Sequence, residues 1–473
     1  RSYQWYKLSA EQGYSNAQFN LGEMYREGKV VKRDFEKALK WYRLAGKKGL
    51  AEAQCNLGLM YAEGQGVNQN YEEAIKWYHL AAEQGYALAQ TNIGLMYEVG
   101  EGVNQNYEEA IKWYHLAAEQ GRAEAQSSLG AMYAEGTGVE KNYKEAITWF
   151  ISAAKQSDSN GQYYLANMYI KGLGVSENYQ EAIVPLRKVN KVEPGFGETD
   201  FLLGKSLLKL KQYHDALPYL EKAVIENPQF SQAQYFLGLS LIKIGRHKEA
   251  VKPLRVAVTA DPDFANAFKY LGEAQQTLEN YPEAIVAFEN AIRIDPEFTI
   301  VHNNLGTIYT FQKEYVKAIH SFKKTLRTNP KFQNGFFNLG MIYEILGRYP
   351  EAIKTYKALL DLNPKHKEAM FSLGWALMDE KRYLEAAPIL RQAAHLNPEN
   401  ADTHYSLGMV YAELGRNDDA LMQYRKTLQM DGNHTGAHEK IARLQKEIII
   451  IPKGKPVFQT EATSQGSDII LLP

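Results

Sequence analysis

The stretch Gly66–Gly85, GVNQNYEEAIKWYHLAAEQG, recurs without a single change as Gly102–Gly121, an offset of 36 residues. The same period carries a tryptophan through Trp5, Trp41, Trp77, Trp113 and Trp149, and a glycine through Gly22, Gly58, Gly94 and Gly130. Within one period the apolar residues fall at helical spacing: Ala53, Leu57, Met60 and Tyr61, then Ala74, Trp77, Tyr78 and Ala81. Gly64 and Gly66 separate the two runs and Gly85 closes the second, so each period predicts a pair of amphipathic helices. Such a hairpin cannot bury its apolar face alone, and fixed-period repetition predicts a stack.

Beyond Pro185 the period shortens to 34. Leu-Gly pairs end at Gly204, Gly238, Gly272, Gly306, Gly340, Gly374 and Gly408, and an alanine follows each glycine by twelve residues. Prolines from Pro228 to Pro398 close six of these units, and Gly432 takes that place in the seventh. These units resemble tetratricopeptide repeats, with DTHYSLGMVYAELGRNDDALMQYRKTL (Asp402–Leu428) a close match. The 36-residue units resemble the Sel1-like subfamily, whose pattern LGxMYxxGxGV then AxxWYxxAA they carry. Gly28 lacks the second glycine of that pattern, and the fifth unit has Ala166 for glycine and Pro185 for tryptophan. The resemblance implies an all-α fold, a right-handed superhelical solenoid of antiparallel helix hairpins with a concave groove that serves protein partners. Sel1-like repeats are expected over residues 1–190, seven tetratricopeptide units over 191–434, a capping helix over 435–447 and an extended or disordered tail over 448–473. The stretch Pro185–Gly197 is the expected hinge, set against continuous stacking through it.

Composition narrows the function. The 54 basic and 55 acidic residues leave a net charge of -1, which gives no global field for nucleic acid. The single cysteine, Cys55, can form neither an internal disulfide nor a thiolate metal site. No apolar run is long enough to span a membrane. The glycine pairs Gly64/Gly66, Gly100/Gly102, Gly136/Gly138 and Gly172/Gly174 read as turns between paired helices rather than phosphate loops. His79 and His115 are one repeat position seen twice, and the paired glutamates open second helices, where they suit the helix dipole. No catalytic constellation, metal or cofactor is expected.

Binding has better support. If first helices line the groove, a position shared by successive repeats forms a ladder. Two residues before the glycine stand Asn20, Asn56 and Asn92 in the first array, and Asn304 and Asn338 in the second. An amide donates and accepts, so an asparagine ladder would hold a peptide backbone whatever its side chains. The alternative is a polar residue on a half-exposed helix face. The Asn304–Asn338 pair resembles two rungs of the asparagine ladder in O-linked N-acetylglucosamine transferase. Nearby candidates are Tyr235, Lys269, Asn303, Phe337 and Tyr405, one place earlier, and Met341 and Trp375 just after the glycine. With Phe371 and Met409 these would form an apolar stretch suited to binding, unless they pack between helices. The carboxylate clamp of chaperone-binding repeats is absent, because Glu273 and Asn338 stand where that pattern needs asparagine and arginine.

The expected function is a non-enzymatic scaffold for a protein or peptide partner. The alternatives are a bacterial cell-envelope assembly factor, for polysaccharide export or pilus assembly, and a regulatory arm of an enzyme. The expected compartment is the bacterial cytoplasm or periplasm. Arg1 falls inside a helical pattern, so the sequence is expected to start within a longer one. The runs Ile448–Ile451 and Ile469–Leu472 are candidates for self-association through the tail.

Overall fold

The computed structural model describes residues 2–450, and among them the chain forms 26 α-helices and no strand. The helices pair as the periods require. Ala51–Glu63 is followed by Tyr71–Ala82, and Ala87–Val99 by Tyr107–Glu119. Within each of the two compact units into which the chain divides, second helices pack on their own first helix and on the first helix of the next repeat.

Local chemistry explains the boundaries. First helices of the 36-residue units end on a left-handed glycine (Gly64, Gly100 or Gly136), whose N–H returns to a methionine carbonyl. The second glycine of each pair is required by crowding: a Cβ at Gly66 would lie 2.5 Å from the carbonyl carbon of Phe35. Asn70, Asn106 and Asn142 then cap the second helices by accepting from backbone N–H groups. The glycine pairs are therefore turns. The Leu-Gly glycines serve packing instead. A Cβ at Gly94 would sit 2.7 Å from the Tyr114 ring, and one at Gly306 2.5 Å from the Phe322 ring, so these hairpins close only with glycine there.

The chain divides into two compact units between Leu278 and Glu279, inside a tetratricopeptide hairpin rather than at the change of period. In the first unit, stacking runs on through the expected hinge. Helix Tyr179–Val192, which accommodates Pro185, packs on Thr199–Lys209. Asn190 Nδ2 donates to Asp200 Oδ1 (2.7 Å), Ser159 Oγ to Glu193 Oε1 (2.6 Å), and Phe196 meets the edge of Tyr163. A second stitch is a glutamine spine. Gln54, Gln90 and Gln126 each donate to a carbonyl eight residues back, and Gln84, Gln120 and Gln156 donate to their Oε1 atoms at 2.7–2.9 Å.

In the second unit, successive first helices touch one another: Thr299–Phe311 on Gln333–Ile345, then Lys367–Asp379, then Ala401–Glu413. This closer spacing puts the first helices on the inner side of that stack. The last helix, Thr435–Ile450, outruns the expected end at Glu447. β-Branching costs only a few tenths of a kcal/mol per residue, too little to stop an established helix. The run Ile469–Leu472 and the tail from residue 451 onward lie outside the described residues.

Candidate partner-binding groove

Three successive first helices of the second unit, with the end of helix Tyr383–Leu396, enclose a cleft of about 190 Å³. Phe337 and Phe371 give it aromatic walls. Ser372, Asn397, Asn400 and Thr403 supply polar groups, and Lys367 and Glu368 bring charges of both signs. The walls are held from behind. Phe337 stacks on His366 (ring centroids 5.5 Å apart) and lies against Tyr356 (6.2 Å), and both phenylalanines pack on the buried core. Asn400 caps its helix, accepting from Thr403 N (2.7 Å) and Oγ1 (2.8 Å). Trp375, one turn beyond Phe371 on the same helix, is 37% exposed.

The candidate residues separate. Asn20, Asn56, Asn92, Tyr235 and Lys269 belong to the first unit, and Asn303, Asn304, Asn338, Phe337, Met341, Trp375 and Tyr405 to the second. Asn338 Nδ2 donates to buried Asn303 Oδ1 (3.1 Å), so its amide meets the position before Asn304. Asn304 is half-buried, and its side chain makes no hydrogen bond among the described residues. Tyr405 lies against Tyr424 and His434, while Met341 is half-buried and Trp375 exposed.

In the first unit several ladder positions do structural work. Asn56 Nδ2 donates to Glu23 Oε1 (2.5 Å), which also accepts from the Tyr42 hydroxyl. Asn92 meets the Tyr78 hydroxyl, as Ser128 meets Tyr114 and Ser372 meets Tyr356. Burial, followed by the neighbouring Glu23, holds the Tyr42 phenol above its ordinary range. Asn20 is half-buried. Lys269 lies 3.5 Å from the Tyr270 ring centroid and 3.6 Å from Glu273 Oε1, and Tyr235 is wedged among Phe236, Phe264 and Tyr270. Burial pushes the Cys55 thiol up to about 12, which removes it from thiolate chemistry.

Two features escaped the sequence reading. Asn397 and Asn400 stand between helices, outside the positions compared. A larger cleft, about 570 Å³, lies toward the second helices and is lined by Ile292, Pro296, His302, Leu305, Tyr309, Val316, Lys317, His320, Ser321 and Lys324. Only three-dimensional neighbours define either. Among the described residues no group of three His, Cys, Asp or Glu could hold a metal, and no helix is long and apolar enough to cross a membrane.

The Sel1 repeat model matches residues 1–14, 15–50, 51–86, 87–121, 123–158 and 159–184. Tetratricopeptide repeat models match 201–263, 265–298, 312–366, 337–394 and 371–434. Among solved structures, a protective antigen of uropathogenic Escherichia coli strains displaying an SLR fold is 26% identical. That match covers 98% of this chain and 99% of the other, with a TM-score of 0.52. A Sel1 repeat protein from Oxalobacter formigenes is 34% identical over 45% of this chain and 86% of its own, with a TM-score of 0.41. No curated protein matches. The chain belongs to the Sel1-repeat and tetratricopeptide-repeat proteins, whose helical hairpins typically mediate protein–protein interaction.

Proposed function

We propose that the chain is a non-enzymatic scaffold that holds a short extended segment of a partner protein against the first helices of its second unit. The cleft bridging Gln333–Ile345, Lys367–Asp379 and Ala401–Glu413 carries this reading. Its volume suits one apolar side chain between Phe337 and Phe371. Around it, Asn397, Lys367 and Glu368 offer partners to a peptide backbone and to flanking charges. Trp375 and the unpaired amide of Asn304 extend the same inner layer. The resemblance to interaction scaffolds supports the same class of function.

Selection of a random peptide library on the purified chain supplies the probe. A selected peptide is expected to lose about tenfold or more in affinity on Phe371→Ala, the scale of a binding hot spot. Val316→Ala, in the larger cleft, is expected to leave binding unchanged. The reverse pattern would move the site to the second-helix side, and no enrichment of any peptide would contradict the proposal.

A further inference from the structure

From Trp41 onward, the tryptophans of the 36-residue period reach back onto the second helix of the preceding unit. Trp41 packs on the cluster of Ala10, Ala17 and Leu21. A Cβ at Gly46 would lie 3.6 Å from Trp77 Cζ3, which marks the residue at this position as the floor of the slot. Trp113 meets His79 at 5.3 Å between ring centroids, and Trp149 meets His115 at 5.7 Å. Trp149 packs on the cluster holding Ala118 and Leu129.

The fifth unit breaks the series. Thirty-six residues after Trp149 stands Pro185, and where the indole would lie the structure has a cleft of about 340 Å³. Its lining is the same slot moved on by one period. Ile151 stands for His115, Ala154 for Ala118, Leu165 for Leu129 and Tyr169 for Tyr133. The surroundings of an indole survive while the indole is gone. The volume falls at the small end of ligand pockets, which begin at about 300 Å³. Lys155 and Lys188 outnumber Glu181 on its exposed rim.

We infer that this slot is a docking site for a tryptophan side chain of a partner polypeptide. The chain itself identifies the occupant, because preceding units fill the equivalent slot with their own tryptophan. The surrounding lysines favour a tryptophan flanked by carboxylates. The site belongs to the first unit and is independent of the groove proposed above.

N-Acetyl-tryptophanamide is the probe, with N-acetyl-leucinamide as comparison, observed through methyl-labelled Ile151 and Leu165 in the whole chain. The tryptophan derivative is expected to shift both methyl signals with an affinity several-fold above that of the leucine derivative. Pro185→Trp should abolish the shifts by supplying the indole in cis. Ala154→Phe, which fills the slot from its floor, should do the same if Pro185→Trp loses helicity. Equal response to the two probes, unmoved methyl signals, or unchanged binding in a folded slot-filled variant would each overturn the inference.

Discussion

At the residue scale, the tightest turns of the 34-residue units show how sequence and backbone can disagree. Seven turn positions recur at that period, and Gly245, Gly347 and Gly415 occupy three of them at positive φ with open space around them. Lys211, Glu279, Lys313 and Lys381 hold the others at φ 59–62. A left-handed non-glycine residue costs about 1–2 kcal/mol, offset in part by the entropy glycine loses on folding. Lys313→Gly is therefore expected to stabilise the chain by about 0.5–1 kcal/mol, read by denaturant titration. Cys55 gives a second test. With its thiol raised by burial, it should react with a disulfide reagent only at the rate of unfolding, and rapid native-state labelling would contradict its packing.

Elements are held to one another by polar groups that hydrophobic periodicity does not reveal. The hairpins, their turns and their small-residue contacts were legible because glycine, alanine and tryptophan recur at fixed spacing. The glutamine spine recurs just as regularly at Gln54, Gln90 and Gln126, yet its role emerges only when Gln84, Gln120 and Gln156 are seen meeting it from another helix. Replacing Gln90 by leucine removes both spine bonds, while the Ala82 carbonyl keeps the Gly85 N–H and the Gln120 amide keeps the Leu116 carbonyl. It should cost about 0.5–1.5 kcal/mol, seen as a lower unfolding midpoint. In the second unit, burial first and then nearby Asp379 raise the Glu344 carboxyl, whose Oε2 accepts from the Tyr356 hydroxyl (2.9 Å). A carboxyl raised by folding favours the folded state while protonated, and that contribution is lost as pH rises through the raised value. Glu344→Gln should thus gain stability relative to wild type as pH climbs from about 4 to about 8, measured as melting temperature. A flat difference would mean that the carboxylate is as well solvated folded as unfolded.

For the whole molecule, the two repeat types were readable, but the division into compact units was not. It falls between Leu278 and Glu279, inside a hairpin where the 34-residue pattern continues unbroken, so the period alone does not mark it. The candidate site shows the same limit. Asn338 was legible as a polar inner residue, whereas its pairing with Asn303 depends on how one helix is rotated against the next. Phe337 and Phe371 were recognisable as apolar inner residues. Their cleft also needs Asn397 and Asn400, which lie outside the repeat position that suggested it. With a net charge of -1 and a partly aromatic lining, binding there should change little with added salt. Hydrogen exchange on the whole chain, with and without a selected peptide, tests the central claim most directly. Slowed exchange confined to Gln333–Ile345, Lys367–Asp379 and Ala401–Glu413 is the predicted result. Protection that spares these three helices and appears elsewhere would contradict it.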